Sequence, residues 1–142
     1  MAEIKHLIVI NAPAAVVYRA LTEQRGLAGW WTVQTVATPV VGSIAQFRFG
    51  DRYHDEMRIV RLDEAKRVEW VCVADDKEWV DTTFVFDLDE AEGVTTVRFC
   101  HGNWRTATDF FASCNTHWGH YMMSLKNYCE TGVGEPFDEP VA

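Results

Sequence analysis

The sequence predicts an α+β fold: a curved antiparallel sheet of about seven strands around one long C-terminal helix, with two short helices after strand one. Three observations predict it. Along Ala107–Cys129 the apolar residues recur every three or four positions, at Phe110/Phe111, Cys114, Trp118, Tyr121/Met122, Leu125 and Tyr128/Cys129, which places them on one stripe of a helix. Between residues 43 and 101, alternating segments are joined by short polar turns, and such turns join antiparallel neighbours. The helical stripe is wide and aromatic, so it needs a large apolar partner, and the sheet supplies one.

The elements follow in order. Glu3–Ile10 reads as the first strand. Asn11-Ala12-Pro13 turns the chain into a helix, with Asn11 as a cap and Pro13 in the first turn. Val16, Val17, Ala20 and Leu21 give that helix its apolar face. Thr22-Glu23 restarts a second short helix through Leu27 to Trp31, interrupted by Gly26 and Gly29. Val33–Thr38 is a weak strand ended by Pro39. Ser43–Phe49 alternates Ala45, Phe47 and Phe49 against polar neighbours, between Gly42 and Gly50. Tyr53–Asp63 carries Met57 and Ile59 on one side. Arg67–Ala74 follows, then a turn at Asp75-Asp76-Lys77. Val80–Asp89 turns Phe84, Phe86 and Leu88 one way. Val94–His101 turns Val97, Phe99 and His101 one way, and Gly102-Asn103 breaks it. Thr106 with Asp109 forms a capping box for the long helix, which Gly132, Gly134 and Pro136 end.

A chain of 142 residues fits one domain, here residues 1–134, with 135–142 a loose acidic tail. The net charge of −8 opposes a phosphate backbone and argues against nucleic acid as a partner. No apolar run is long enough to span a membrane, and Met1–Lys5 lacks the basic-then-apolar plan of an export signal, so the expectation is a cytoplasmic protein. Cys72, Cys100, Cys114 and Cys129 have no CxxC spacing and sit in apolar segments, which reads as reduced buried thiols. The sequence carries no GxGxxG, P-loop, HExxH or GxSxG signature, and no cofactor is expected.

Ala12-Pro13-Ala14-Ala15-Val16-Val17-Tyr18-Arg19-Ala20-Leu21-Thr22, the Leu27-Ala28-Gly29-Trp30-Trp31 after it, and Trp118, Ser124-Leu125-Lys126-Asn127-Tyr128 and Glu130-Thr131-Gly132 together carry a resemblance. The chain resembles the helix-grip, START-like (SRPBCC) superfamily that includes the birch-pollen-allergen-like proteins. More narrowly it is similar to the family named after the activator of heat-shock protein 90 ATPase homologue. The resemblance implies a seven-stranded antiparallel sheet wrapped round the last helix and an internal cavity for apolar ligands. Its motifs are structural and identify no reaction.

The expected occupant of that cavity is a hydrophobic or aromatic small molecule. Phe47, Phe49, Met57, Trp70, Phe84, Phe86 and Phe99 would line the concave face, with Phe111, Trp118 and Met122 opposite and Trp30 and Trp31 at the mouth. A filled core predicts the same residues, and only volume separates the two readings. His101 shares a face with Val97 and Phe99, so it would either orient a ligand or act as a general base in a cyclase- or hydratase-type reaction, or else be a hydrogen-bonded histidine at a strand end. Arg48, Glu56, Arg58 and Glu69 turn inward only if a bulge shifts the register. Cys114, His117 and His120 recur every three residues, which spreads them round a helix and disfavours a metal. Gly119 lies mid-helix, at a cost of roughly 1 kcal/mol against alanine, and suggests close approach to the sheet or room beside a ligand. A chaperone partner and a homodimer remain open.

Overall fold

The computed structural model describes residues 1–75 and 77–139. Asp76 of the expected turn and residues 140–142 of the expected tail lie outside the described residues. The elements are β1 (Ala2–Ile10), α1 (Ala14–Thr22), α2 (Gln24–Trp30), β2 (Gln34–Val36), β3 (Ile44–Phe49), β4 (Tyr53–Asp63), β5 (Arg67–Ala74), β6 (Thr83–Ala91), β7 (Val94–Trp104) and α3 (Asp109–Thr131). The seven strands form one antiparallel sheet in the order β1-β7-β6-β5-β4-β3-β2. Strands β2 to β7 are thus a meander, and β1 returns beside β7.

The period-two pattern decides which face is inside. Ala45, Phe47, Met57, Val68, Trp70, Phe84, Phe86, Val97 and Phe99 are each no more than 2% exposed, and Trp118, Met122 and Leu125 of α3 are buried with them. Each such ring removes roughly 150–250 Å² from water, worth several kcal/mol at about 25 cal/mol per Å². Register shifts in β4, at Glu56/Met57 and at Ile59/Arg61, add local twist, and twist bends the sheet around the helix.

Four local expectations need correction. Pro13, not Asn11, is the N-cap of α1, and the Ala14 N–H is met from across the fold by Glu90 Oε1 at 2.7 Å. Helix α2 runs unbroken through Gly26 and Gly29, because both glycines are sites of close approach: a Cβ on Gly26 would lie 2.5 Å from Ala20 Cα, and one on Gly29 2.3 Å from the Tyr128 ring. Strand β7 passes Gly102-Asn103 and reaches Trp104, because Asn103 takes a φ of 63° where the pairing with β1 slips. Thr108 rather than Thr106 caps α3, accepting from the Phe111 N–H at 3.2 Å, so no capping box with Asp109 forms. The helix ends as expected, at Gly132 with a φ of 85°.

Three further sets of contacts close the grip. Lys126 donates from Nζ to the Val9 carbonyl and pairs with Glu130 at 2.8 Å, and Glu130 Oε2 accepts from the Asn11 N–H at 2.7 Å. Ser124 donates to the Trp30 carbonyl at 2.8 Å and accepts from the Glu135 N–H at 2.7 Å. The supposed loose tail is held at residue 137: the Phe137 N–H donates to the Trp31 carbonyl at 2.8 Å and the Val33 N–H to the Phe137 carbonyl at 3.0 Å.

Candidate functional site

Most of the concave face is filled by side chains, but among the described residues a space of about 120 Å³ remains. It lies at the end of the sheet where the β3–β4 hairpin, the β5–β6 connection and the first turns of α3 converge. The hairpin supplies Phe49, Arg52, Tyr53 and Asp55; the connection supplies Asp75 and Trp79. Helix α3 supplies Phe110, Ser113, Cys114, His117, Trp118 and Tyr121, and Trp31 and Phe137 close the remaining side. Exposed Arg52, Ser113 and His117 rim the mouth. An apolar cavity of about 150 Å³ accepts a benzene ring, so this one suits a single small group.

Three indoles, Trp31, Trp79 and Trp118, line the space, with Trp30 and Trp70 packed behind them. The rings of Trp30, Trp70, Trp79 and Trp118 lie within 26° of the plane of Trp31, at centroid distances of 5.3–6.4 Å. Trp79 and Trp118, both on the wall, are 6.3 Å apart and 14° from parallel. A hydrogen-bond relay holds them there. Trp118 Nε1, which can only donate, gives its proton to His101 Nδ1 at 3.1 Å. The ring therefore carries its own proton on Nε2, which donates to Thr82 Oγ1 at 2.9 Å. Thr82 donates in turn to the Trp79 carbonyl at 2.6 Å, and Asp75 Oδ2 accepts from the Trp79 N–H at 3.0 Å.

His101 is thus fully buried and neutral, and burial holds its pKa well below the ordinary imidazole value. It stands behind the wall and does not line the space. Of the other residues expected at a ligand, Trp31, Phe49 and Trp118 line it. Trp30, Phe47, Met57, Trp70, Phe84, Phe86, Phe99 and Met122 are packed within the core, and Phe111 turns its half-buried ring edge-on to Trp104 at 5.1 Å. Arg48 and Arg58 are exposed, and Glu56 and Glu69 remain off the cavity wall; the Ile59/Arg61 shift changes the inward phase only beyond Ile59, where Leu62 pairs with buried Val68.

Sequence reading missed Trp79 and Asp55. Trp79 sat in a charged stretch read as a turn, and a lone tryptophan there was the signal available. Asp55 is two residues before Met57, so period two already placed it on the inner side; it is 2% exposed. Burial pushes the Cys114 thiol up to about 12, and the nearby carboxylates of Asp75 and Asp55 add to the rise. Among the described residues no three His, Cys, Asp or Glu side chains converge on a metal position. His120 instead meets the Glu135 carbonyl at 3.2 Å.

The family model described as "Activator of Hsp90 ATPase homolog 1-like protein" matches residues 11–130. No curated protein matches the chain. Among solved structures, the chain is similar to the Aha1 dimer from Colwellia psychrerythraea, with 38% identity and a TM-score of 0.86 over 94% of this chain and 100% of that one. It is also similar in fold to protein SSP2350 from Staphylococcus saprophyticus, at 17% identity and a TM-score of 0.78 over 94% and 96% of the two chains. A third likeness is to protein CV1439 from Chromobacterium violaceum, at 18% identity and a TM-score of 0.78 over 92% and 99%.

Proposed function

The chain belongs to the Activator of Hsp90 ATPase homolog 1-like family, and from that premise we propose that it binds a small hydrophobic or aromatic molecule between sheet and C-terminal helix. The observation that carries the reading is the tryptophan-walled space of about 120 Å³, which opens to solvent at Arg52, Ser113 and His117. Flat rigid rings offer a large apolar contact at little cost in side-chain entropy. A group entering the space packs against Trp31, Trp79 and Trp118 while the rest of the ligand stays at the rim.

Native mass spectrometry of the protein purified from its own host tests this, together with tryptophan fluorescence during titration with single-ring ligands. A co-purifying molecule, or saturable quenching lost on Ser113→Phe at the mouth, supports the reading. A chain that is always empty and gives no saturable response to any ring would overturn it.

A cyclase- or hydratase-type reaction in the same cavity is the alternative, with His101 as its candidate base. Binding is favoured because both ring nitrogens of His101 are engaged by Trp118 and Thr82. Activation of a chaperone ATPase rests on the family description alone and requires no cavity. Self-association has a specific observation behind it: the relative sharing 38% identity is described as a dimer. On this chain, Val36, Val40, Val41, Ile44 and Val60 are exposed around the short edge strand β2, a surface a second copy could cover. Sedimentation of wild type and Val36→Lys checks it, with a shift to monomer expected in the variant.

A further inference from the structure

We infer that the site takes ligands of two rings, the second of which replaces Phe137, and that residues 136–139 form the wall that swings aside to admit it. This deepens the reading of the cavity as a binding site and rests on it.

The walls of the space are held with very different strength. Most of them belong to β3, β4 and α3, and Trp79 is tied to α3 through Thr82 and His101. Phe137 belongs to none of these. Its ring is half-buried and meets Phe49 edge-on at 5.5 Å. Its backbone makes a lone parallel bridge with Thr32, outside the seven-stranded ladder, through the bonds to Trp31 and Val33. Val33 is 40% exposed, so water readily replaces its bond to the Phe137 carbonyl. Beyond that bridge, the Glu139 carbonyl accepts from exposed Gln34 Nε2 at 3.0 Å, and the Glu139 carboxylate lies 3.9 Å from Arg52, with both charged side chains more than half exposed. Such surface contacts contribute little.

Just before this stretch the chain is clamped. Gly134 packs so closely on α2 that an added Cβ would lie 2.5 Å from the Gly29 carbonyl oxygen and 3.0 Å from the Ser124 carbonyl oxygen, and the Glu135 N–H donates to buried Ser124 Oγ. A segment fixed at 134–135 and weakly held beyond it opens as a unit about that point. Release uncovers Phe49 and, 6.5 Å from it, Tyr121, both of which line the space. A ligand ring seated there restores the edge-on contact that Phe137 gives up, so the exchange costs little in aromatic packing. The room gained is that of one more ring, beside a space that already suits one small group. The second ring lies against Phe49 and Tyr121, and the stacked indoles stay in contact with one another.

The test follows hydrogen exchange and ligand titration by ¹H–¹⁵N NMR, with phenol as the one-ring probe and 2-naphthol as the two-ring probe. In the free wild-type chain the amides of Val33 and Phe137 should share one protection factor, roughly tenfold or more below that of the clamped Glu135 amide. Both probes should shift the Trp79 Nε1 signal. Saturating 2-naphthol should lower protection at Val33 and Phe137 a further fivefold or so, and phenol should leave it within about twofold. In Phe137→Ala, 2-naphthol should bind about fivefold tighter than in the wild type, and phenol within about twofold. Four outcomes overturn the inference and leave the cavity reading standing: protection at Val33 and Phe137 equal to that at Glu135, binding of phenol alone, binding of 2-naphthol with those two amides unchanged, or an unchanged affinity for 2-naphthol in Phe137→Ala. Failure of both probes to bind overturns both. Should Phe137→Ala fail to fold, the wild-type exchange decides alone.

Discussion

His101 shows how one buried ring fixes two cavity walls at once. It accepts from Trp118 and donates to Thr82, and the bond from Trp118 is lost if Nδ1 gains a proton. Its folded pKa is depressed, so the unfolded chain takes up the proton first as pH falls. This contribution to stability is fully present above the unfolded imidazole value of about 6.5 and is lost below it, at up to about 1.4 kcal/mol per pH unit. Urea denaturation between pH 7.5 and 5 should show that slope in the wild type and a shallower one in His101→Gln. Glu130 adds a second acid-sensitive contact: the hydrogen bonds from Lys126 and the Asn11 N–H lower its pKa, so its share is lost only as pH falls further, through that lowered value. The thiols behave in the opposite sense. Burial pushes Cys72, Cys114 and Cys129 up to about 12 and Cys100 to about 11. All four should resist a thiol reagent at pH 8 in the folded protein and react promptly in denaturant; fast labelling of the native chain would contradict this placement.

At the scale of elements, the two kinds of glycine make opposite predictions. Gly26 meets the Ala20 backbone at the α1–α2 corner, so Gly26→Ala forces the helices apart and should cost about 1–3 kcal/mol or more. Gly119 is in the middle of α3, where an added Cβ finds nothing closer than His6 Cε1 at 3.8 Å. It neither permits a close approach nor faces the cavity wall, so Gly119→Ala should stabilise by about 1 kcal/mol. Chemical denaturation of both variants checks the contrast. The same elements show what the sequence made legible. Strands β4 and β5 are read to the residue because polar turns bracket them and period two holds along β5 and up to Ile59 in β4. The start of β6 is not, since Val80 is exposed and precedes Asp81 at a φ of 71°, and β-propensity alone cannot see that turn. The stripe of α3 identified Trp118 and Met122 correctly as buried. The actual cavity escaped notice because, beside the α3 stripe, it is closed by Trp79 and Phe137 from connecting segments that obey no period.

At the scale of the molecule, the segment after α3 completes both the packing and the cavity. Phe137 bridges to the chain after Trp31 through backbone hydrogen bonds and lies edge-on to Phe49 at 5.5 Å. Phe137→Ala should cost about 1–2 kcal/mol, less than the roughly 3–5 kcal/mol of a fully buried phenylalanine, because its ring is only half-buried. It should also raise acrylamide quenching of the tryptophans, since one side of the cavity opens. The pairs Val9–Lys126 and Asn11–Glu130 join positions separated by 117 and 119 residues. Closing so distant a loop is entropically slow, and it must wait until residues 109–131 exist as a helix. During synthesis the oily trough therefore stands uncovered while β1 to β7 are already out, and the nascent chain is most exposed to wrong partners just before α3 leaves the ribosome.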